Sequence, residues 1–204
     1  MQTAPHDGVG RRRNTVTQVP REGVQVDIVN VVASVTLKHG FDLGSITRAF
    51  PTAEYRPEQF PGLVFRLKRP KTAILIFTTG KMVCTGAKSV RMARRAVHQV
   101  VRELKAKGIL IRGRPEITIQ NVVASVVLGG KVDLEKAVYS LERIMYEPAQ
   151  FPAAVYRMDE PKVVVLIFSA GKLVVAGAKT EAQVYEVVVN LQRRFEEEGL
   201  ISYE

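Results

Sequence analysis

From Val26 to Leu37 the chain is a long run of β-branched and small residues, a pattern that predicts a strand. Asp42–Phe50 follows as a short helix, opened by an aspartate that can cap it. Shorter β-rich stretches, Leu63–Leu67, Ala73–Phe77 and Met82–Thr85, are separated by Pro, Lys and Gly. Ser89–Lys107 then changes period. Val90, Ala93, Val97, Val101 and Leu104 fall on one stripe of a long helix that Gly108 stops.

The whole arrangement occurs twice. Asn30-Val31-Val32-Ala33-Ser34-Val35 returns as Asn121-Val122-Val123-Ala124-Ser125-Val126, a shift of 91 positions. At that shift, pairing Val26–Leu110 with Ile117–Ile201 gives 31 identities in 85 pairs without a gap. Gln59-Phe60-Pro61 meets Gln150-Phe151-Pro152, Leu75-Ile76-Phe77 meets Leu166-Ile167-Phe168, and Gly86-Ala87-Lys88 meets Gly177-Ala178-Lys179. In the second half Val184, Val187, Val188, Leu191 and Phe195 form the long helical stripe, and Gly199 ends it. Gly and Pro in Arg112-Gly113-Arg114-Pro115 mark the break. The expected organisation is a flexible tail over residues 1–24, one repeat over 25–112 and a second over 113–204.

Alternation along the strands assigns faces. Val29, Val31, Ala33, Val35 and Leu37 share the face expected to pack under the helices. Ile28, Asn30, Val32, Ser34 and Thr36 share the other, which is still largely apolar with one amide in its middle. Likewise Ile74 and Ile76 oppose Leu75 and Phe77, and Met82 and Cys84 oppose Val83 and Thr85. The helices can cover only one side of such a sheet. An apolar face is therefore left open, and exposed apolar patches of this size mark interaction surfaces.

Charge narrows the partner. The net charge is +10. Residues 26–112 carry 16 Lys/Arg against 5 Asp/Glu, whereas residues 113–204 carry 10 against 13. Cys84 is the one cysteine, so an internal disulfide is excluded and an intracellular setting is expected. No apolar run is long enough for a membrane span, so no membrane partner is expected. His6, His39 and His98 have no counterparts in the repeat. With no metal spacing, no Gly-rich phosphate loop and no nucleophile–base set, the chain is not expected to be an enzyme or to need a cofactor. Two other readings stay open: an accessory domain of a DNA-repair or RNA-cleaving enzyme, and an RNA-binding sheet. The latter would want mid-strand aromatics for stacking, and only Phe77 and Phe168 qualify.

An apolar face with a central Asn and a cationic border suits the DNA minor groove. The floor of that groove offers adenine N3 and thymine O2 as acceptors, and phosphates line its rims. At this point the motifs Tyr-Arg-Pro-Glu-Gln-Phe-Pro (Tyr55–Pro61) and Leu-Ile-Phe-Thr-Thr-Gly-Lys-Met-Val-Cys-Thr-Gly-Ala-Lys (Leu75–Lys88), with the repeated Asn-Val-Val-Ala-Ser, become specific. Over nearly all of Val24–Ile201 the sequence resembles the TATA-box-binding protein family, in the compact two-repeat form typical of archaea.

The resemblance implies an α+β fold: a saddle-shaped, pseudo-twofold repeat with a curved antiparallel sheet, helices on its convex face and DNA on its concave face. It implies that Phe60 with Phe77, and Phe151 with Phe168, are wedges between base steps. It further implies that Asn30 and Asn121 donate to the central base pairs. Val32, Leu75, Val83, Val123, Leu166 and Val174 would form the apolar floor, with Thr85 and its counterpart Ala176 near the centre. Arg66, Lys71, Lys81, Lys88, Arg157, Lys162, Lys172 and Lys179 would face the phosphates. The implied partners are A·T-rich double-stranded promoter DNA, a transcription factor B-like protein docking at Glu147 and Gln150, and RNA polymerase indirectly. A weak homodimer through the apolar face is a further expectation for the free protein. The implied location is the cytoplasm of an archaeal cell, or a nucleus for a eukaryotic source. The basic outer face of the first long helix (Arg91, Arg94, Arg95, Arg102, Lys105, Lys107) is expected to be solvated.

Overall fold

The computed structural model describes residues 19–203. Most of the expected tail, with His6 and Arg11–Arg13, lies outside them. The first half runs β1 (Gln25–Thr36), α1 (Leu43–Ala49), β2 (Leu63–Lys68), β3 (Lys71–Ile76), β4 (Lys81–Ala87) and α2 (Val90–Ala106). The second runs β5 (Glu116–Val127), β6 (Lys131–Val132), α3 (Leu134–Ser140), β7 (Ile144–Met145), β8 (Ala153–Asp159), β9 (Lys162–Phe168), β10 (Lys172–Ala178), α4 (Glu181–Glu197) and β11 (Ile201–Ser202). Nine strands form one curved antiparallel sheet in the order β2-β3-β4-β1-β5-β10-β9-β8-β7.

The helices start where the sequence supplies oxygen caps. Asp42 accepts from the Gly44 N–H, Asp133 from Lys136, Ser89 from Met92 and Thr180 from Gln183, each satisfying an otherwise unpaired N–H. The apolar stripe of α2 buries Ala93, Ala96, Val97, Val100, Val101 and Leu104, while Val90 is only half-buried. That of α4 buries Val184, Val187, Val188, Leu191 and Phe195. Both close over Val31, Ala33, Val35, Val122, Ala124 and Val126 in one core that is continuous across the two halves.

Strands β1 and β5 join the halves. Val31 pairs with Val122, its own counterpart in the repeat, so the pseudo-twofold axis passes through that pair. Asn30 faces Val123 and Asn121 faces Val32, one residue to either side of the axis. The register slips between Ile28 and Asn30, and again between Ile119 and Asn121. These slips are bulges at Val29 and Gln120, which are themselves repeat counterparts. They correct two face assignments: Val29, at the first bulge, does not pack against the core on the helix side as expected. Beyond the bulge Ile28, together with Val24 and Val26, packs on the core side, not on the open side with Asn30. An extra residue in one strand flips the alternation and bends the sheet.

Three short strands are not predicted by the pattern. β6 pairs with β11 in a small separate sheet, and β7 extends the edge beside β8. The first half has a single bridge, Glu54 with Val64, at the place of the Met145–Val155 pair. The last residues before β1 are held in place. The Arg21 guanidinium donates to Glu196 at 3.1 Å and lies 4.5 Å over the Tyr203 ring, and its N–H donates to the Gln192 side chain. The Tyr203 hydroxyl, with Arg21, holds the Glu196 carboxyl below its ordinary pKa.

The hairpin glycines are strict requirements. Gly171 has φ +78°, and an added Cβ would lie 1.7 Å from the Gly130 carbonyl oxygen; at Gly80, with φ +87°, it would lie 2.0 Å from that of His39. Gly171→Ala is therefore expected to cost at least about 1–3 kcal/mol from the left-handed backbone alone. A thermal melt should show this as a fall of roughly 2–4 °C for each kcal/mol lost.

Candidate nucleic-acid interface

The open side of the sheet is built in rows across the strands. In the first half Val64, Leu75, Val83 and Ser34 sit opposite one another on successive strands; in the second, Val155, Leu166, Val174 and Ser125 do the same. All eight are half-buried, whereas their neighbours along each strand, such as Ile74, Ile76, Met82, Val165, Ile167 and Leu173, are fully buried against the helices. Val32 and Val123 continue this floor on either side of the axis. The face is apolar, continuous and uncovered.

The two asparagines are held in one orientation. Asn30 Oδ1 accepts from the Gly86 N–H at 2.8 Å, and Asn121 Oδ1 accepts from the Gly177 N–H at 2.7 Å. A backbone N–H can only donate, so each side-chain oxygen is committed and each Nδ2 is the group left to donate. The halves then differ. Asn30 Nδ2 lies 3.5 Å from the Thr85 hydroxyl, a long contact, whereas the counterpart Ala176 has no hydroxyl. Ala176 instead deepens a groove that it shares with Val155, Val164 and Arg157.

Each phenylalanine pair meets edge-on. Phe60 and Phe77 have ring centroids 5.9 Å apart, and Phe151 and Phe168 6.2 Å apart. Phe60 is 40% exposed and Phe151 43%, and none of the four belongs to the buried core. Turns closed by Phe60 N–H to the Arg56 carbonyl and Phe151 N–H to the Glu147 carbonyl hold the first ring of each pair at the outer end of the sheet. Beneath the first pair lies Gly62, where a Cβ would come within 2.7 Å of the Phe60 ring; Ala153 occupies that place in the second half.

The basic residues are exposed along the strand ends, but they are not equivalent. Lys71, Lys81, Lys162 and Lys172 project from strand termini. Lys88 and Lys179 are partly committed, donating to the carbonyls of Val29 at 2.8 Å and Gln120 at 2.6 Å, so they clasp the two bulges. Arg66 pairs with Glu54 at 3.2 Å, while in the second half Met145 stands at the place of Glu54, and Arg157 shares its groove with Met145 and Asp159. Glu147 and Gln150 are exposed in the turn before Phe151. Cys84 is buried, which pushes its thiol up to about 11 and leaves it unreactive. Among the described residues no His/Cys/Asp/Glu cluster could hold a metal ion, and no helix is long and apolar enough to cross a membrane.

Fold and face together define a two-repeat α+β protein with an open apolar sheet, paired amide donors on its axis and cations at its borders. Comparison with known proteins identifies the class further. The family model described as "Transcription factor TFIID (or TATA-binding protein, TBP)" matches residues 25–107 and again 116–197. The TATA-box-binding protein of Pyrodictium occultum is 54% identical over 178 residues, covering 87% of this chain and 88% of that protein. That of Sulfolobus acidocaldarius is 52% identical over 171 residues, covering 84% and 86%. The solved structure of the Methanococcus jannaschii TBP superposes with a TM-score of 0.77 at 46% identity, covering 85% of this chain and 99% of that one. The chain belongs to the TATA-binding protein family.

Proposed function

We propose that the chain is a general transcription initiation factor that grips the minor groove of A·T-rich TATA-box DNA with its open sheet face and bends the duplex. The observation that carries this reading is the pair of oriented Asn30 and Asn121 donors astride the pseudo-twofold axis of an apolar floor. The minor-groove floor of A·T pairs offers only acceptors, whereas a G·C pair adds the guanine amino donor, which would meet Nδ2 donor to donor. The phenylalanine pairs at the two ends act as wedges, as minor-groove binders of this same family do elsewhere. Lys71, Lys81, Lys162 and Lys172, with Arg66 and Arg157, neutralise phosphates along the rims.

The test is direct. A TATA-containing duplex carrying a fluorophore at each end should bind with a rise in end-to-end energy transfer, and a G·C-rich duplex of equal length should bind more weakly without one. Equal affinity for both, with no change in energy transfer, would refute the reading.

The bent complex then presents the second turn to a transcription factor B-like partner, which brings in RNA polymerase. The main chain of this turn is fixed because the Glu147 carbonyl accepts from both Gln150 and Phe151, while the Glu147 and Gln150 side chains stay exposed. Glu147→Arg is expected to leave DNA binding intact and to abolish the ternary complex, since a reversed charge at a contact is repulsive. Native gel electrophoresis with a cognate partner checks it. A ternary complex of unchanged strength would move the docking site elsewhere.

A further inference from the structure

Helix α2 carries a charge pattern that its packing does not require. From Val90 to Ala106 there are five Lys/Arg and a single acid, Glu103, which takes a hydrogen bond from Gln99. Arg91, Arg94, Arg95 and Arg102 are exposed, and among the described residues none of them is in an ion pair. Arg91 stands three and four residues from Arg94 and Arg95, and Arg102 three from Lys105, spacings at which like charges destabilise a helix. Arg91 also lies in the first turn, where the helix dipole disfavours cations and no acid of α2 offsets it. The carboxylate that reaches this end is Glu181 of the other half, accepting from the Val90 N–H at 2.8 Å. Counterpart helix α4 has the same length and packing with four acids against two cations and Glu181 in its first turn. The fold therefore accommodates the opposite charge, and the unfavourable pattern on α2 calls for an external anion.

Two features identify that anion as nucleic acid. The basic track does not stop at the helix: Arg69, in the β2–β3 turn, lines one shallow groove with Arg91 and Arg95, joining the track to Lys71 and Lys88 at the rim of the sheet. The corresponding second-half residues are Glu160, Ala182 and Glu186. In addition, none of the exposed large hydrophobic side chains lies on α2. Protein interfaces centre on apolar or aromatic anchors, whereas a phosphate backbone needs only cations, and the guanidinium fork matches phosphate oxygens. From Arg91 to Lys105 the row spans roughly 21 Å at 1.5 Å per residue. That is about six phosphates of one strand at 3.4 Å each.

We propose that the outer face of α2, extended by Arg69, is a second, sequence-independent binding surface for duplex DNA, on the side of the molecule opposite the sheet face. It holds a duplex while the sheet face is occupied.

The experiment uses the full chain saturated with a short unlabelled TATA duplex, titrated into a fluorescent G·C-rich duplex and followed by anisotropy. The loaded protein should bind the second duplex with a steep salt dependence. Arg91→Ala/Arg95→Ala/Arg102→Ala should weaken this binding at least about tenfold and flatten the log–log salt slope by roughly 2.7, about 0.9 for each phosphate that is no longer neutralised. The first TATA duplex should bind as before, and because alanine favours helix the variant should fold. The proposal is overturned if the loaded protein ignores the second duplex or if the triple variant binds it equally well. It is also overturned if poly-glutamate occupies the track and duplex DNA cannot displace it, which would assign the surface to an acidic protein segment.

Discussion

Replacing Phe151 and Phe168 together by alanine is expected to leave the protein folded while removing much of its hold on DNA. Phe151 is 43% exposed, Phe168 is half-buried, and neither ring enters the core beneath the sheet. What the fold loses is their edge-on contact, worth roughly 0.5–1.5 kcal/mol, and the buried half of each ring, worth about 1–1.5 kcal/mol apiece. At roughly 2–4 °C for each kcal/mol, the melting temperature should then fall by about 5–18 °C. Two core phenylalanines would cost about 3–5 kcal/mol each. DNA binding should fall as well. Each ring still has about half its surface to bury, so the pair forfeits roughly 2–3 kcal/mol of apolar contact. That corresponds to about 30–150-fold in affinity. The wedge also offsets unstacking, roughly a few kcal/mol per step on values drawn from this same family of minor-groove binders. End-to-end energy transfer within the remaining complex should therefore drop. A large loss of thermal stability with bending preserved would show these rings to be core and sink the assignment.

Much of this face was legible in the sequence because two independent signals agreed. The 91-residue repeat gave the pseudo-twofold axis before any coordinates, and strand alternation put Leu75, Phe77, Val83 and their counterparts on the open side, where they lie. Alternation failed at Ile28 because a bulge belongs to the pairing of two strands, and neither strand alone records it. The positions that make the bulge, Val29 and Gln120, differ in chemistry, so the repeat offered no hint either. The partners of the amides were hidden for a related reason. Gly86 and Gly177 read as turn residues, yet each supplies the N–H that fixes an asparagine 56 positions away. Equally hidden was the commitment of Lys88 and Lys179 to the bulge carbonyls, since a repeated basic pair reads the same whether it meets phosphate or backbone. Glu54 beside Arg66 also left no mark in the pattern, because the bridge that brings Glu54 to Val64 lies outside any regular strand.

The same amide geometry separates reading of bases from mere support of the fold. Asn121→Ala removes the Nδ2 donor and also strips the Gly177 N–H of its acceptor, so a loss of binding with that variant could arise from either cause. Asn121→Asp separates them. A carboxylate oxygen in place of Oδ1 still accepts from Gly177, so the loop should keep its conformation and the melting temperature should stay within about 2–4 °C, the shift from 1 kcal/mol in a chain of this size. The other oxygen replaces a donor with an acceptor and adds negative charge, pointed at a floor of adenine N3 and thymine O2 acceptors. Removing one base-reading group costs roughly 1–3 kcal/mol of discrimination, and the aspartate adds repulsion to that loss. The expected order of TATA affinity is wild type, then Asn121→Ala, then Asn121→Asp, with thermal stability ordered differently because the alanine variant alone leaves an N–H unpaired. Asn30→Ala and Asn30→Asp should follow the same order, with a smaller alanine effect if the Thr85 hydroxyl can donate in place of the missing amide. Competition against a G·C-rich duplex completes the measurement, because a base-reading donor must lose affinity for TATA DNA selectively. If the aspartate variants matched the alanine variants on both duplexes, or if every variant lost TATA and G·C-rich binding equally, the amides would be supports for Gly86 and Gly177 and the recognition of A·T pairs would have to come from elsewhere on the sheet.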